Sequence, residues 1–197
     1  MIKDTVFYPL AAIAAALLVL LALSPAFGAL PSGPVSVGDG QYGAVSVSGL
    51  QLNRMQPGVE ATLTLVESAD PTAIEIGVDA ETLSDDPVLG PHFPLAADLE
   101  VQFAGYEIAI TVRAKPGPTR GATRMQVNYS TGRDGESGWQ AFDLKPGYDD
   151  YTFVYDVPAR TGEQGLDYLG IRPVVPDKSR TLLVEEVRFE RRKRLAE

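Results

Sequence analysis

The sequence predicts an all-β body of two packed antiparallel sheets, preceded by one N-terminal apolar helix. Three observations carry that expectation. Apolar residues recur at every second position in about ten short runs after residue 40, the period of half-buried strands. Turn-forming residues, such as Pro116-Gly117-Pro118 and Arg133-Asp134-Gly135, separate the runs. A continuous apolar stretch occurs only near the start, where the eighteen residues from Val6 to Leu23 carry no charge.

That first stretch would rise about 27 Å as a helix, close to the hydrocarbon thickness of a bilayer. Its inner part, Leu10 to Leu23, contains only Ala, Ile, Leu and Val, with no polar stripe to suit the surface of a globular core. Pro9 is tolerated in a first helical turn, and Ser24-Pro25 marks a stop. Two readings remain open, an uncleaved membrane anchor and a signal peptide cut after Ala26-Phe27-Gly28. No Lys or Arg follows until Arg54, which argues for a body on the extracytoplasmic side, periplasmic or at the cell surface. Residues 1–29 are thus expected to be an anchor or signal segment.

Leu30 to Gln41 is rich in Gly, Pro and Ser and reads as a linker. Residues 42–190 should form one sandwich. Its inward positions are Val45 and Val47; Leu63 and Leu65; Ile74, Ile76 and Val78; Leu99, Val101 and Phe103; Ile108, Ile110 and Val112; and Met125, Val127 and Tyr129. The series goes on with Phe153, Tyr155 and Val157, then Leu169 and Ile171, then Val187 and Phe189. No helix is expected after Leu30. The Pro-rich stretch Asp79 to Pro94 is expected as a long loop over an edge or mouth of the sandwich. Residues 191–197 form a basic tail, expected to fray.

Charge and composition exclude several chemistries. Residues 31–190 hold 12 Lys and Arg against 24 Asp and Glu, a net charge of −12 that repels nucleic acid phosphate. Cysteine is absent and His92 is the single histidine, so thiolate sites, cysteine nucleophiles and zinc chemistry are not expected. His92 is expected on a surface loop, far from any nucleophile motif. The acid pairs Asp85-Asp86, Asp149-Asp150 and Glu185-Glu186 are sequence neighbours. On a strand such neighbours point to opposite faces and cannot flank one glycosidic bond. No enzyme and no cofactor are expected; single acids leave a structural calcium as an alternative, without the spacing of a ligand loop.

The second half carries a resemblance. Tyr106-Glu-Ile-Ala-Ile-Thr-Val-Arg-Ala-Lys115 is an alternating strand opened by Tyr and closed by Arg-Ala-Lys. Trp139-Gln-Ala-Phe-Asp-Leu144 and Tyr151-Thr-Phe-Val-Tyr-Asp-Val-Pro158 follow, then Tyr168-Leu-Gly-Ile-Arg172 and Leu183-Val-Glu-Glu-Val-Arg-Phe189. In order and spacing these resemble the strands of the jelly-roll carbohydrate-binding modules of the galactose-binding-domain-like superfamily. The resemblance implies a jelly-roll sandwich and a non-catalytic module whose first ligand class is glycan.

Strand parity then nominates a site. With Ile108, Ile110 and Val112 inward, Glu107 and Arg113 point outward; with Met125, Val127 and Tyr129 inward, Arg124, Gln126 and Asn128 do. Tyr168 and Arg172 join them if, as the resemblance implies, their strand is adjacent. Trp139 is placed either to stack on a sugar or to cap the core. Three guanidiniums on one face would suit a carboxylate-bearing glycan, since Arg offers a planar bidentate fork; the alternative is an ordinary solvated face. Expected partners are therefore the membrane, through the N-terminal helix, and a glycan, or else an envelope protein for which the domain is an accessory subunit.

Overall fold

The computed structural model describes residues 4–27, 29–38, 43–59, 61–67, 71–79, 84–163 and 165–196. The chain divides into two compact units, Met1–Leu30 and Pro31–Glu197. The first holds helix α1, Asp4–Phe27, whose side chains are described at Tyr8, Pro9 and residues 12–21. Within the described residues no helix is long and apolar enough to cross a membrane. Gly28 of the cleavage motif lies outside the described residues.

The second unit is a two-sheet antiparallel sandwich of ten strands among the described residues. They are β1 (Ala44–Ser48), β2 (Ala61–Val66), β3 (Ala73–Val78), β4 (His92–Leu95), β5 (Tyr106–Pro116), β6 (Arg124–Ser130), β7 (Gln140–Asp143), β8 (Asp149–Asp156), β9 (Asp167–Pro173) and β10 (Arg180–Arg194). One sheet runs β2-β3-β10-β5-β8, with β1 also on β10; the other runs β4-β9-β6-β7. The long β10 organises the larger sheet, pairing β3 and then β1 along one edge and β5 along the other. Between the sheets lie the alternating residues expected inside, including Val47, Ile76, Ile110, Val127, Leu169, Ile171 and Phe189, all at most 1% exposed.

Three segments depart from the expected elements. Leu99, Val101 and Phe103 form no strand; they belong to α2, Ala97–Phe103, in which Leu99 and Phe103 are buried and Val101 is exposed. A spacing of four satisfies both a strand's period of two and one turn of a helix, so the pattern alone does not separate them. Gly49–Arg54 is a short 3-10 helix, again where no helix was expected. The tail does not fray at once either, because β10 runs on through Arg194, with Lys193 2.9 Å from Glu107 and the Arg191 guanidinium 4.6 Å from the centre of the Tyr106 ring.

The Gly- and Pro-rich stretch after α1 is bound to the sandwich where it is described, residues 39–41 lying outside the description. Val35 donates to the Pro94 carbonyl at 2.7 Å and accepts from Ala96 at 2.8 Å, while Arg54 reaches the Ser32 and Pro34 carbonyls at 2.8 and 2.9 Å. These contacts give the edge strand β4 a neighbour, which removes an open row of backbone groups.

One buried group opposes the fold at neutral pH. Asp167, at the start of β9, is 1% exposed and takes the Tyr129 hydroxyl on Oδ2; its Oδ1 is buried with no hydrogen-bond partner among the described residues. Burial raises its pKa from 3.8 to about 6, the Tyr129 hydrogen bond lowering it in part and the Glu100 and Asp134 charges adding to the rise. Because the folded chain holds this proton more tightly, the group favours folding below pH 4, and the advantage is lost as the pH rises through 6. Above that the cost reaches about 3 kcal/mol. Asp167→Asn should therefore raise the melting temperature at pH 7.5 and flatten its dependence between pH 4 and 7. Thermal melts across that range check it, and a lower melting temperature at pH 7.5 would contradict the assignment.

Candidate functional site

The outer face of the four-stranded sheet gathers most of the nominated residues, because β6 and β9 are hydrogen-bonded neighbours. Gln126 stands opposite Arg172, Asn128 opposite Gly170 and Ser130 opposite Tyr168; Arg124 stands opposite Asp143 of β7. Glu107 and Arg113 do not join them. Both lie on β5, in the other sheet. Parity correctly sends them outward, but a sandwich has two outer faces and parity does not say which. The single face with Arg113, Arg124 and Arg172 is thus corrected to two groups on separate sheets.

On the larger sheet, ion pairs occupy the nominated groups. Arg113 lies 3.2 Å from both Asp150 and Glu185, Arg188 lies 3.5 Å from Asp150, and Glu107 holds Lys193. The Asp150 hydrogen bond and the Glu185 charge raise the Arg113 pKa despite an opposing contribution from burial. Tyr148 lies under Lys115, whose ammonium is 4.3 Å from the ring centre.

The smaller sheet's face is covered by the chain itself. Residues 84–91 cross it as a strap, part of the loop expected from Asp79 to Pro94, of which residues 80–83 lie outside the description. Arg172 is 5% exposed, so its expected surface position is also corrected. Its Nε donates to Gln126 Oε1 at 3.0 Å, its Nη1 donates to the Ser84 carbonyl, and its guanidinium lies 3.7 Å from the centre of the Trp139 ring. Trp139 in turn donates from Nε1 to the Asp85 carbonyl at 2.9 Å, so it neither caps the core nor stands clear of the surface. Gly170 shows how close the cover is, because a Cβ there would meet Trp139 at 2.9 Å and Pro87 at 3.0 Å; only glycine fits beneath the strap.

The remaining nominated residues are engaged as well. Asn128, 1% exposed, donates to Glu136 Oε2 at 2.9 Å and accepts from the Ser137 hydroxyl at 3.2 Å. Arg124 is exposed and lies 2.9 Å from Asp143. Tyr168 is half-buried and meets the His92 ring edge-on, 5.5 Å between centres. His92 is buried in β4, 4% exposed, with Nδ1 2.9 Å from the Gly90 carbonyl. This corrects the surface-loop expectation and leaves the imidazole badly placed to activate a nucleophile.

An open concavity lies beside the strap. A groove of about 570 Å³ is lined by Asp85, Asp86 and Val88 on the strap and by Ser130, Arg133 and Glu136 on the facing hairpin. Hydrogen bonds order both walls. Asp86 Oδ1 accepts from the Val88 amide at 3.0 Å, the Thr131 amide donates to the Gly135 carbonyl at 2.9 Å, and Asn128 fixes Glu136. Three carboxylates and one guanidinium make the groove acidic. Its volume falls within the roughly 300–1,000 Å³ of small-ligand sites. Sequence reasoning missed these residues, having set Asp85-Asp86 aside as neighbours that cannot flank one glycosidic bond; the clustered prolines of the loop were the available signal. Among the described residues no group of three or more His, Cys, Asp or Glu side chains is placed to hold a metal ion.

The sequence matches no protein-family model and no curated protein. Solved structures do match. The CBM22-2 xylan-binding domain of Paenibacillus barcinonensis Xyn10C superposes with a TM-score of 0.51 at 10% identity, covering 70% of this chain and 91% of that one. The tandem CBM22-1–CBM22-2 structure from the same protein gives a TM-score of 0.52 at 10% identity, covering 77% of this chain and 46% of that one. The chain therefore has the jelly-roll fold of carbohydrate-binding modules, as its strand motifs implied.

The two arginine environments predict opposite behaviour. Arg172→Ala strips a buried guanidinium from Gln126 and the Ser84 carbonyl and should cost about 2–4 kcal/mol. Arg113→Ala should leave the melting temperature within about 2 °C, because Arg113 and Asp150 are exposed to water and Glu185 is only half-buried. Parallel thermal melts decide it; equal losses would mean that the strap is not held through Arg172.

Proposed function

We propose that the protein is a non-catalytic glycan-binding module of the cell envelope, held at a membrane by α1, and that its ligand is neutral rather than acidic. The carrying observation is the acidic groove between strap and hairpin, set on a carbohydrate-binding-module fold. Asp85, Asp86 and Glu136 offer carboxylate oxygens that accept hydrogen bonds from sugar hydroxyls without a proton of their own. One guanidinium among three carboxylates disfavours a uronate. The three arginines that would have drawn an acidic ligand are split between sheets or committed to internal partners.

Membrane attachment rests on the sequence, in the uncharged run from Val6 to Leu23. The extracytoplasmic side follows from the absence of Lys and Arg between this run and Arg54. Cell fractionation with N-terminal sequencing tests this half: an intact start in the membrane fraction is expected, and a mature chain beginning at Ala29 would make the domain a secreted one.

The ligand half is tested by calorimetry on the full chain in a detergent without a sugar headgroup, using soluble xylan, a neutral β-glucan and a polyuronate. Xylan comes first because the superposing module is described as xylan-binding. Neutral polymer should bind and polyuronate should not. Glu136→Gln and Asp86→Asn should each weaken binding by about tenfold, the loss of one charge-assisted hydrogen bond. Preference for the polyuronate, or binding indifferent to both substitutions, would remove the groove from the reading. No binding to any of the three would turn the case toward an accessory subunit that docks a protein.

A further inference from the structure

We infer that the strap closes the four-stranded face to ligand, so that the groove takes the end of a neutral glycan, or a glycan of one or two sugar units, and not an internal stretch of polymer. This rests on the glycan reading above and narrows it to a binding mode.

An internal stretch of chain needs an open path along which sugar rings continue on both sides of the site. The central part of this face offers no such path. Pro87 and Trp139 come so near the backbone at Gly170 that even a methyl group there would meet both within 3.0 Å. The strap is also fixed along its length. Arg172 holds Ser84, Trp139 holds Asp85, Ile171 donates to the Pro91 carbonyl at 3.0 Å, and Val59 donates to the Leu89 carbonyl at 2.9 Å. Lifting it would leave a buried guanidinium without its carbonyl acceptor, which keeps the closed state the favoured one.

The groove beside the strap has two walls and no aromatic lining residue. Trp139, the chain's only tryptophan, has the Arg172 guanidinium on its ring, and Tyr168 is half-buried against the His92 ring, so the described residues of this face present no row of open rings for successive sugars. Recognition then depends on hydrogen bonds to Asp85, Asp86 and Glu136. A chain end suits that arrangement better than a chain interior, because it carries hydroxyls that an interior unit spends on linkages. In this arrangement Arg172 and Trp139 are positioning residues, which act on the ligand through the strap.

Two measurements test the inference. In the first, xylo-oligosaccharides of two to six units and soluble xylan are titrated into the full chain in the same detergent. Affinity should level off by two or three units, and xylan should bind in proportion to its chain ends. A rise of more than tenfold from the disaccharide to the hexasaccharide would overturn the end-binding mode while leaving the glycan reading in place. No binding at any length would overturn both.

The second measurement needs no ligand. Acrylamide quenching of the single tryptophan should be weak in the wild type and strong in Arg172→Ala, with Arg113→Ala as a control that keeps the wild-type response. If wild-type Trp139 is quenched as readily as in the urea-unfolded chain, the strap does not cover the face and the inference falls, whatever binds.

Discussion

A guanidinium removed from water must be given acceptors, and the one buried on the four-stranded face among the described residues determines much of what surrounds it. Arg172 finds Gln126 across the strand pair, the π face of Trp139 and the carbonyl of Ser84. The last of these belongs to a distant part of the chain, so satisfying the charge brings the strap onto the sheet. Once the strap is down, Gly170 has no room for a side chain and Asp85 and Asp86 are displayed at its margin. The groove exists because the face is covered.

Much of the fold was legible because burial on one face of a strand imposes a period of two, and most of the β-runs show it. The exceptions are instructive. Leu99 and Phe103 are four apart, which serves a strand and a helix equally, and α2 formed where a strand was expected. The sheet face was legible only to its parity. Glu107 and Arg113 point outward as expected, yet β5 and β6 belong to different sheets, and strand partnership depends on long-range pairing that side-chain alternation does not encode.

The groove was hidden for a further reason. Strands repeat, and a repeat can be read; a loop that folds back on a sheet depends on a few specific contacts between residues 46 to 88 positions apart. Nothing local in Ser84-Asp85-Asp86-Pro87 indicates that its carbonyls meet Trp139 and Arg172. The same residues, read one at a time, gave separate roles: a tryptophan for stacking or capping, an arginine for a carboxylate, single acids for a calcium. Brought together, the tryptophan and the arginine satisfy each other, and on the proposed reading the acids remain for a ligand.

Charge then decides between ligand classes at short range. The excess of twelve acidic groups in residues 31–190 is screened beyond about 8 Å at physiological salt, so it does not by itself forbid an anionic ligand. What counts is the charge at contact distance. On the larger sheet the arginines are matched by Asp150 and Glu185, and on the smaller one Arg172 is buried and Arg124 lies against Asp143. At Arg113, Arg188 and Arg124 an acidic ligand would have to displace a carboxylate already in place, exchanging one ion pair for another at little net gain, and in the groove the single guanidinium of Arg133 is outnumbered by three carboxylates. On the reading proposed above, a neutral polyhydroxyl ligand meets no such competition at Asp86 and Glu136, where it replaces water on acceptors that the fold has already oriented.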